Sequence, residues 1–419
     1  MDRIIINGGQ PLSGTICISG SKNACLPIMA ASILTDQNIN LTNVPNLEDI
    51  KTMSKVLTSL DVEVDASQAI ENKITLKYLN TGKSIAEYDL VRKMRASILV
   101  LGPLLARKRQ ASVSLPGGCA IGARPVDLHL NALSKLGAEF KLDRGYIECS
   151  APNGLKGTEI IFPTISVGAT ESLLMAATLA EGKTKLNNIA IEPEVIDLIH
   201  CLQSMGAQIE FNDQRTVTIT GVRELFGTSH AIIPDRIETL TYVIAGAIIG
   251  NNLKIENIKL EHVSNVLEIF KSLNIDFSLS DNALVVNKTE FFHGIELETK
   301  EFPGFPTDMQ AQLMVLLSQA NSESIITENI FENRYMHVPE LNRMGANISI
   351  DGKKAIIKPS EKLIGAEVMA TDLRASVSLI LAGLVAEGET IINRVYHLDR
   401  GYEQVENKLQ HVGAEIKRV

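Results

Sequence analysis

Two kinds of apolar run alternate along the chain. Residues 96–106, 171–179 and 376–385 are apolar on most faces, which predicts helices buried on all sides. Residues 127–136 instead carry apolar side chains at helical spacing between polar ones, which predicts an amphipathic helix nearer the surface. Short strand-like runs separate the helices, and Gly ends them. Ala180-Glu181-Gly182-Lys183-Thr184 and Ala386-Glu387-Gly388-Glu389-Thr390 each turn from an apolar helix into a strand. Such strands run on to Asn, as in Lys185 to Asn188, Leu253 to Asn257, Ile325 to Asn329 and Ile391 to Asn393.

The pattern is periodic. Leu136-Gly137-Ala138 returns as Met205-Gly206-Ala207, Met344-Gly345-Ala346 and Val412-Gly413-Ala414, with weaker copies at Leu60-Asp61-Val62 and Leu273-Asn274-Ile275. The six phrases start 76, 69, 68, 71 and 68 residues apart. A further phrase opens several units: Leu12-Ser13-Gly14-Thr15, Leu155-Lys156-Gly157-Thr158, Leu225-Phe226-Gly227-Thr228 and Leu363-Ile364-Gly365-Ala366. Six units therefore account for the chain, each reading strand, helix, strand, helix, strand, strand. Repeats of this size either stack as a solenoid or pack around an axis, and periodicity alone does not choose. The repeated Gly-Ala pairs mark the fold, so chemistry is sought where a unit carries something its siblings lack.

Composition narrows the function classes. The 419 residues correspond to two or three domains at ~150 residues each, enough to bury a core without disulfides or metal. Aromatic residues are 4% with no Trp, which excludes stacking on bases or sugars as the main binding device. A net charge of −9 excludes a broad nucleic-acid binder, though not a small anion in a local basic pocket. Five Cys, none as Cys-x-x-Cys, predict free thiols in a reducing, cytoplasmic compartment. The apolar stretch 96–106 has eleven residues and a Pro, well short of the ~20 that cross a bilayer. Ile4-Ile5-Ile6 is too short for a signal peptide.

Four places break the repeat. In Ser114-Leu115-Pro116-Gly117-Gly118-Cys119-Ala120-Ile121-Gly122-Ala123-Arg124-Pro125-Val126-Asp127, glycines surround one Cys before Arg and Pro enter a helix. A helix start and Arg124 favour an anion and a thiolate at Cys119. Gly-Lys-Ser/Thr is missing, so this is not a Walker loop. In Ser19-Gly20-Ser21-Lys22-Asn23-Ala24, a Gly turn presents Lys22 at a helix start, where it opposes the macrodipole and a bound anion would compensate. Between Leu90 and Gln110 stand Arg92, Lys93, Arg95, Arg107, Lys108 and Arg109 with no acidic residue. Lys108 and Arg109 read as a solvated face, while Arg95, at a helix start, is the better ligand candidate. The last two units carry Asp308, Arg334, Asp372, Arg374 and Arg400. The two Asp fit N-caps, and several Arg after strand ends look like a clamp for phosphate or carboxylate. His337 and His397 read as hydrogen-bonded structural residues. No spacing suggests a metal site.

From about residue 4 to 419 the chain resembles the enolpyruvyl transferases. The segments that carry the resemblance are Gly20 to Ala24, Leu115 to Leu128, Phe305 to Gln312 and Ala370 to Ser376, with Phe331 to Glu340 and Asp399 to Glu403 in support. It implies an α/β (α+β) fold of two domains, each an inside-out barrel of three βαβαββ units around a pseudo-threefold axis. The domains would be residues 21–229 and residues 1–20 plus 230–419, with the site in the cleft between them. It implies transfer of the enolpyruvyl group of phosphoenolpyruvate to the 3-hydroxyl of UDP-N-acetylglucosamine, releasing phosphate, with no cofactor, in a cytoplasmic monomer. Cys119 resembles the general acid that can form a covalent adduct and react with the epoxide fosfomycin. Asp308 resembles the base, and Lys22, Arg124 and Arg400 the phosphate and carboxylate holders. Arg95, Arg334, Asp372 and Arg374 match other cleft residues. Asn23, Arg124, Pro125, Val126, Asp127, Leu128, Thr164, Ile165, Ser166, Val167 and Ile330 match sugar-nucleotide contacts, although many relatives carry a basic residue where this chain has Thr164. The shikimate-pathway branch of the same family lacks the Gly-Gly-Cys loop.

Overall fold

The structure, a computed structural model, describes residues 2–82, 85–86, 88–92, 94–115, 126–280 and 282–419. Each unit of the repeat builds one four-stranded sheet, and all six sheets share one strand order. In the unit after Leu155, Glu159–Ile161 runs parallel to Lys183–Asn187. That strand pairs antiparallel with Thr216–Thr220, which pairs in turn with Gln208–Asp213. In each unit the apolar helix directly precedes the second strand of that order. Arg236–Ile249, Gln310–Leu317 and Leu373–Val385 touch one another, and Val167–Ala177 touches both Lys22–Ala31 and Leu101–Lys108. Three equivalent sheets thus enclose each triplet, helices inside and sheets outside, and the periodicity resolves as packing around an axis.

Chain contacts divide into two units. One joins the first 19 residues to Pro234–Val419, and the other runs from Gly20 to Ile233. Ile4–Asn7 pairs with both Glu389–Asn393 and Glu415–Arg418, and Leu12–Cys17 pairs with Gly250–Glu256. In the other unit, Thr228–Ala231 pairs with Ile39–Thr42. That pairing holds residues 228–231 in the Gly20 unit, so the second crossing lies at Ile233–Pro234, a little later than the resemblance implies.

The recurring Gly has a backbone reason. Gly137, Gly206, Gly345 and Gly413 have φ of +97°, +100°, +95° and +101°, a left-handed conformation that ends a helix and is open to Gly. Asp61 and Asn274 stand at the same place in the weaker copies with φ of 70° and 71°, and Asp and Asn tolerate this region better than most residues.

One helix differs from expectation. Residues 96–106 form a 3-10 turn, Arg95–Val100, and then the helix Leu101–Lys108. Pro103 has no N–H to give Leu99, so an α-helical ladder cannot run through this point. No helix among the described residues is long and apolar enough to cross a membrane.

Close helix contact in the Gly20 unit depends on Gly102, where a Cβ would stand 2.4 Å from the Ser172 carbonyl oxygen. Gly102→Ala gains about 1 kcal/mol of helix propensity, while overpacking costs about 1–3 kcal/mol. The expected outcome is a net loss of up to about 2 kcal/mol in urea unfolding; a more stable variant would show that the two helices separate freely.

Candidate active site

In the Pro234–Val419 unit, Asp308 lies in the 3-10 turn Thr307–Met309, just before a central helix. Its carboxylate does not cap that helix. It accepts from Arg334 Nη2 at 2.7 Å and Arg374 Nη2 at 3.1 Å. Both Arg side chains are 4% exposed, and Asp308 is 28% exposed. A buried guanidinium stripped of its carboxylate costs about 3–5 kcal/mol, so Asp308 holds both cations in place.

Arg374 stands in the first turn of Leu373–Val385, where a cation opposes the helix dipole. Asp372 offsets this as the N-cap, accepting from the N–H groups of Arg374 at 2.7 Å and Ala375 at 3.0 Å. Arg334 is placed through Glu328, which is 2% exposed and which the sequence reading did not single out. Glu328 accepts from the N–H groups of Ile330 at 2.9 Å and Phe331 at 3.1 Å, and from the Thr307 hydroxyl at 2.9 Å. One carboxylate thereby links the Arg334 segment to the turn that carries Asp308.

Arg400 is half-buried at the end of the 3-10 turn Val395–Arg400. The preceding Asp399 takes two hydrogen bonds from Arg418, at 3.0 and 2.6 Å. His397 feels the charges of Arg400 and Asp372, and burial and then Arg400 lower its pKa. His337 is pushed down to about 4, mainly by burial, and its Nε2 is 3.3 Å from the Met314 sulfur. Asp308, Ile330, Arg334, Asp372, Arg374 and Arg400 therefore belong to helix starts and to the turns that follow strands in one unit.

In the Gly20 unit, Lys22 is the first residue of Lys22–Ala31 and is 7% exposed. The anion that offsets it within the protein is Asp49, 3.0 Å from Nζ. One contact leaves an ammonium group two further donors. Asn23 follows half-buried.

His129 ties three other candidate segments together. It follows Val126, Asp127 and Leu128, it feels the charge of Arg95, and a Cβ on Gly168 would stand 3.0 Å from its Nε2. Ser166 caps Val167–Ala177 by accepting from the Ala169 N–H at 3.3 Å, with Ile165 and Val167 half-buried beside it and Thr164 exposed. Sequence reading passed over His129 because it has no nearby His or Cys. Its only local signal is its place next to the Arg124-to-Leu128 run.

Cys119, Arg124 and Pro125 lie outside the described residues. The remaining thiols are free: Cys17 is exposed, and Cys25, Cys149 and Cys201 are buried. Lys108 is not the solvated residue expected. Its side chain is 9% exposed, and its Nζ lies 4.0 Å from Asp61 and 5.5 Å from the Tyr78 ring centre. Among the described residues no group of His, Cys, Asp and Glu could hold a metal ion.

The family model for EPSP synthase (3-phosphoshikimate 1-carboxyvinyltransferase) matches residues 6–409. The UDP-N-acetylglucosamine 1-carboxyvinyltransferase of Granulibacter bethesdensis is 54% identical over 419 residues, covering all of both chains. That of Paracoccus denitrificans is 54% identical, covering all of this chain and 99% of its own. Among solved structures, the enolpyruvyl transferase NikO from Streptomyces tendae aligns with a TM-score of 0.91 at 23% identity, covering 100% of this chain and 99% of that one. EPSP synthase from Acinetobacter baumannii aligns at 0.79 and 16% identity, covering both chains fully. These last two likenesses concern the fold.

The His129 environment has a pH consequence. Burial, and then Arg95, push its pKa down to about 4, against ~6.5 when unfolded. Between these values the unfolded chain binds more protons, so stability falls as pH drops from about 6.5 towards 4. From pH 7 to 5 the parent should lose about 1–2 kcal/mol in urea unfolding that His129→Leu does not lose. Equal pH slopes in the two proteins would show that this ring is not buried neutral.

Proposed function

The chain belongs to the EPSP synthase family, and we propose that within it this protein moves the enolpyruvyl group of phosphoenolpyruvate onto the 3-hydroxyl of UDP-N-acetylglucosamine, the first committed step of peptidoglycan synthesis. The observation that carries this reading is the 54% identity over the whole chain to relatives named for that activity. EPSP synthase itself stands at 16%.

The reaction adds and then eliminates. Cys119 gives a proton to the methylene carbon of phosphoenolpyruvate, the sugar oxygen bonds to the adjacent carbon, and Asp308 takes the hydroxyl proton. The tetrahedral adduct, which now carries a methyl group, then loses phosphate, which leaves with the proton held by Asp308, and a methyl proton, which returns to Cys119, so that the double bond reforms on the sugar-linked product. All atoms come from the two substrates, so no cofactor is required. Lys22, Arg124 and Arg400 hold the phosphate and carboxylate and stabilise the adduct's charge. Asp308 suits the base role because its charge is balanced by Arg334 and Arg374 while it keeps access to solvent. Arg95, Asn23, Arg124 to Leu128, Thr164 to Val167 and Ile330 hold the sugar nucleotide, and Asp372, Arg334 and Arg374 shape the base side. A cytoplasmic monomer fits the free thiols and the absence of any need for a partner residue in this scheme.

Phosphate release with phosphoenolpyruvate should require UDP-N-acetylglucosamine and be absent with shikimate 3-phosphate. Release with the shikimate compound alone would overturn the assignment. Fosfomycin should add its mass to Cys119, since burial pushes the Cys149 and Cys201 thiols up to about 12 and raises those of Cys25 and Cys17 as well. An adduct on Cys25 or Cys201 would contradict the role given to Cys119, as would full turnover in Cys119→Ala.

A further inference from the structure

Two of the motifs that break the repeat contain residues with no part in this scheme: Gln312, four positions after Asp308, and Tyr402, two after Arg400. Both are sealed in the core at 0% and 1% exposure, as is Thr241 at 1%. They meet there. The Tyr402 hydroxyl lies 2.9 Å from Thr241 Oγ1 and accepts from Gln312 Nε2 at 3.1 Å. Thr241 passes its own proton to the Ile237 carbonyl at 2.7 Å, which orients the chain of donors from Gln312 through Tyr402 to Thr241. Gln312 Nε2 also donates to the backbone carbonyl of Asp308 at 2.9 Å. The Arg374 guanidinium lies over the Tyr402 ring, 5.3 Å from its centre.

We propose that Tyr402 and Gln312 are positioning residues for Asp308, setting its carboxylate through Arg374 on one side and through its own backbone on the other. The proposal rests on Asp308 being the base. Each of the three central helices of this unit contributes one member: Thr241, Gln312 and Arg374. Apolar contacts alone let helices slide at small cost, because dispersion and burial are not directional. A buried hydroxyl and amide must find their partners, and here they do so only when the three helices share one axial register. Arg374 then rests on a ring whose hydroxyl is fixed, and Asp308 is bound to an arginine that cannot drift. A proton acceptor displaced by ~1 Å can lose 100-fold in rate, so the knot fixes the distance that the chemistry reads.

Tyr402→Phe and Gln312→Met in the full chain keep shape and apolar area while deleting the hydrogen bonds. Each should lower kcat about 10- to 100-fold with both KM values within about twofold. Alkylation of Cys119 by fosfomycin should keep its parental rate, because that reaction does not use Asp308. Thr241→Ser, which keeps the hydroxyl, should retain kcat where Thr241→Val loses it. A kcat within twofold of the parent in both Tyr402→Phe and Gln312→Met overturns the proposal. So does a parallel fall of turnover, alkylation and Tm, which marks a merely structural role. Full turnover in Asp308→Asn would remove the base assignment itself, a result separable from the others.

Discussion

Two guanidiniums cannot lie in an apolar core unless a carboxylate lies between them, and Asp308 meets that condition at 2.7 and 3.1 Å. Much of the surrounding structure follows from it. Arg334 must leave its strand end in one direction, which Glu328 secures by taking the N–H groups of Ile330 and Phe331. Arg374 must sit at a helix start against the dipole, which Asp372 offsets. This chain thus places much of its charged chemistry where helices begin, the end of a helix that has unpaired N–H groups and a positive field.

The repeat makes this economical. Six equivalent helix starts arise from one pattern copied along the chain, and each copy is free to carry different side chains. Lys22 opens one central helix, Arg95 the turn leading to another, Ser166 caps a third, and Asp308 and Arg374 open two more. What distinguishes the units is therefore concentrated at a few homologous positions, while the Gly-Ala turns and apolar helices stay nearly constant. Acidity elsewhere on the chain leaves these local cations undiluted.

The fold was legible because its signals are local. A left-handed turn admits Gly, or Asp and Asn with more strain, so Gly137, Asp61 and Asn274 report the same backbone state in different letters. The strong apolar helices announced burial on all sides. The candidate residues were legible in part for the same reason: Asp308, Arg334 and Arg374 stand in motifs that interrupt the repeat. What escaped notice depends on distant contacts. Nothing near Lys22 indicates Asp49, nothing near Lys108 indicates that it lies over Tyr78, and Tyr402 reveals its link to Gln312 only once ninety residues of chain have folded between them. The Pro103 break was visible as a residue and underweighted as a constraint.

The strand exchange has a consequence for how the protein is made. Ile4–Asn7 finds its neighbours at Glu389–Asn393 and Glu415–Arg418, so this strand is made long before its sheet can close. During synthesis this apolar segment has no native partner until residues 389–418 emerge, and the Gly20 unit can complete itself well before. Vectorial translation therefore imposes an order of assembly on two otherwise similar bodies. The leading strand travels as an unpaired edge for nearly the whole of that interval, in need of shelter from other nascent chains. The Gly20 unit can be cut from the gene as one uninterrupted segment with all of its sheets intact, whereas the other unit cannot.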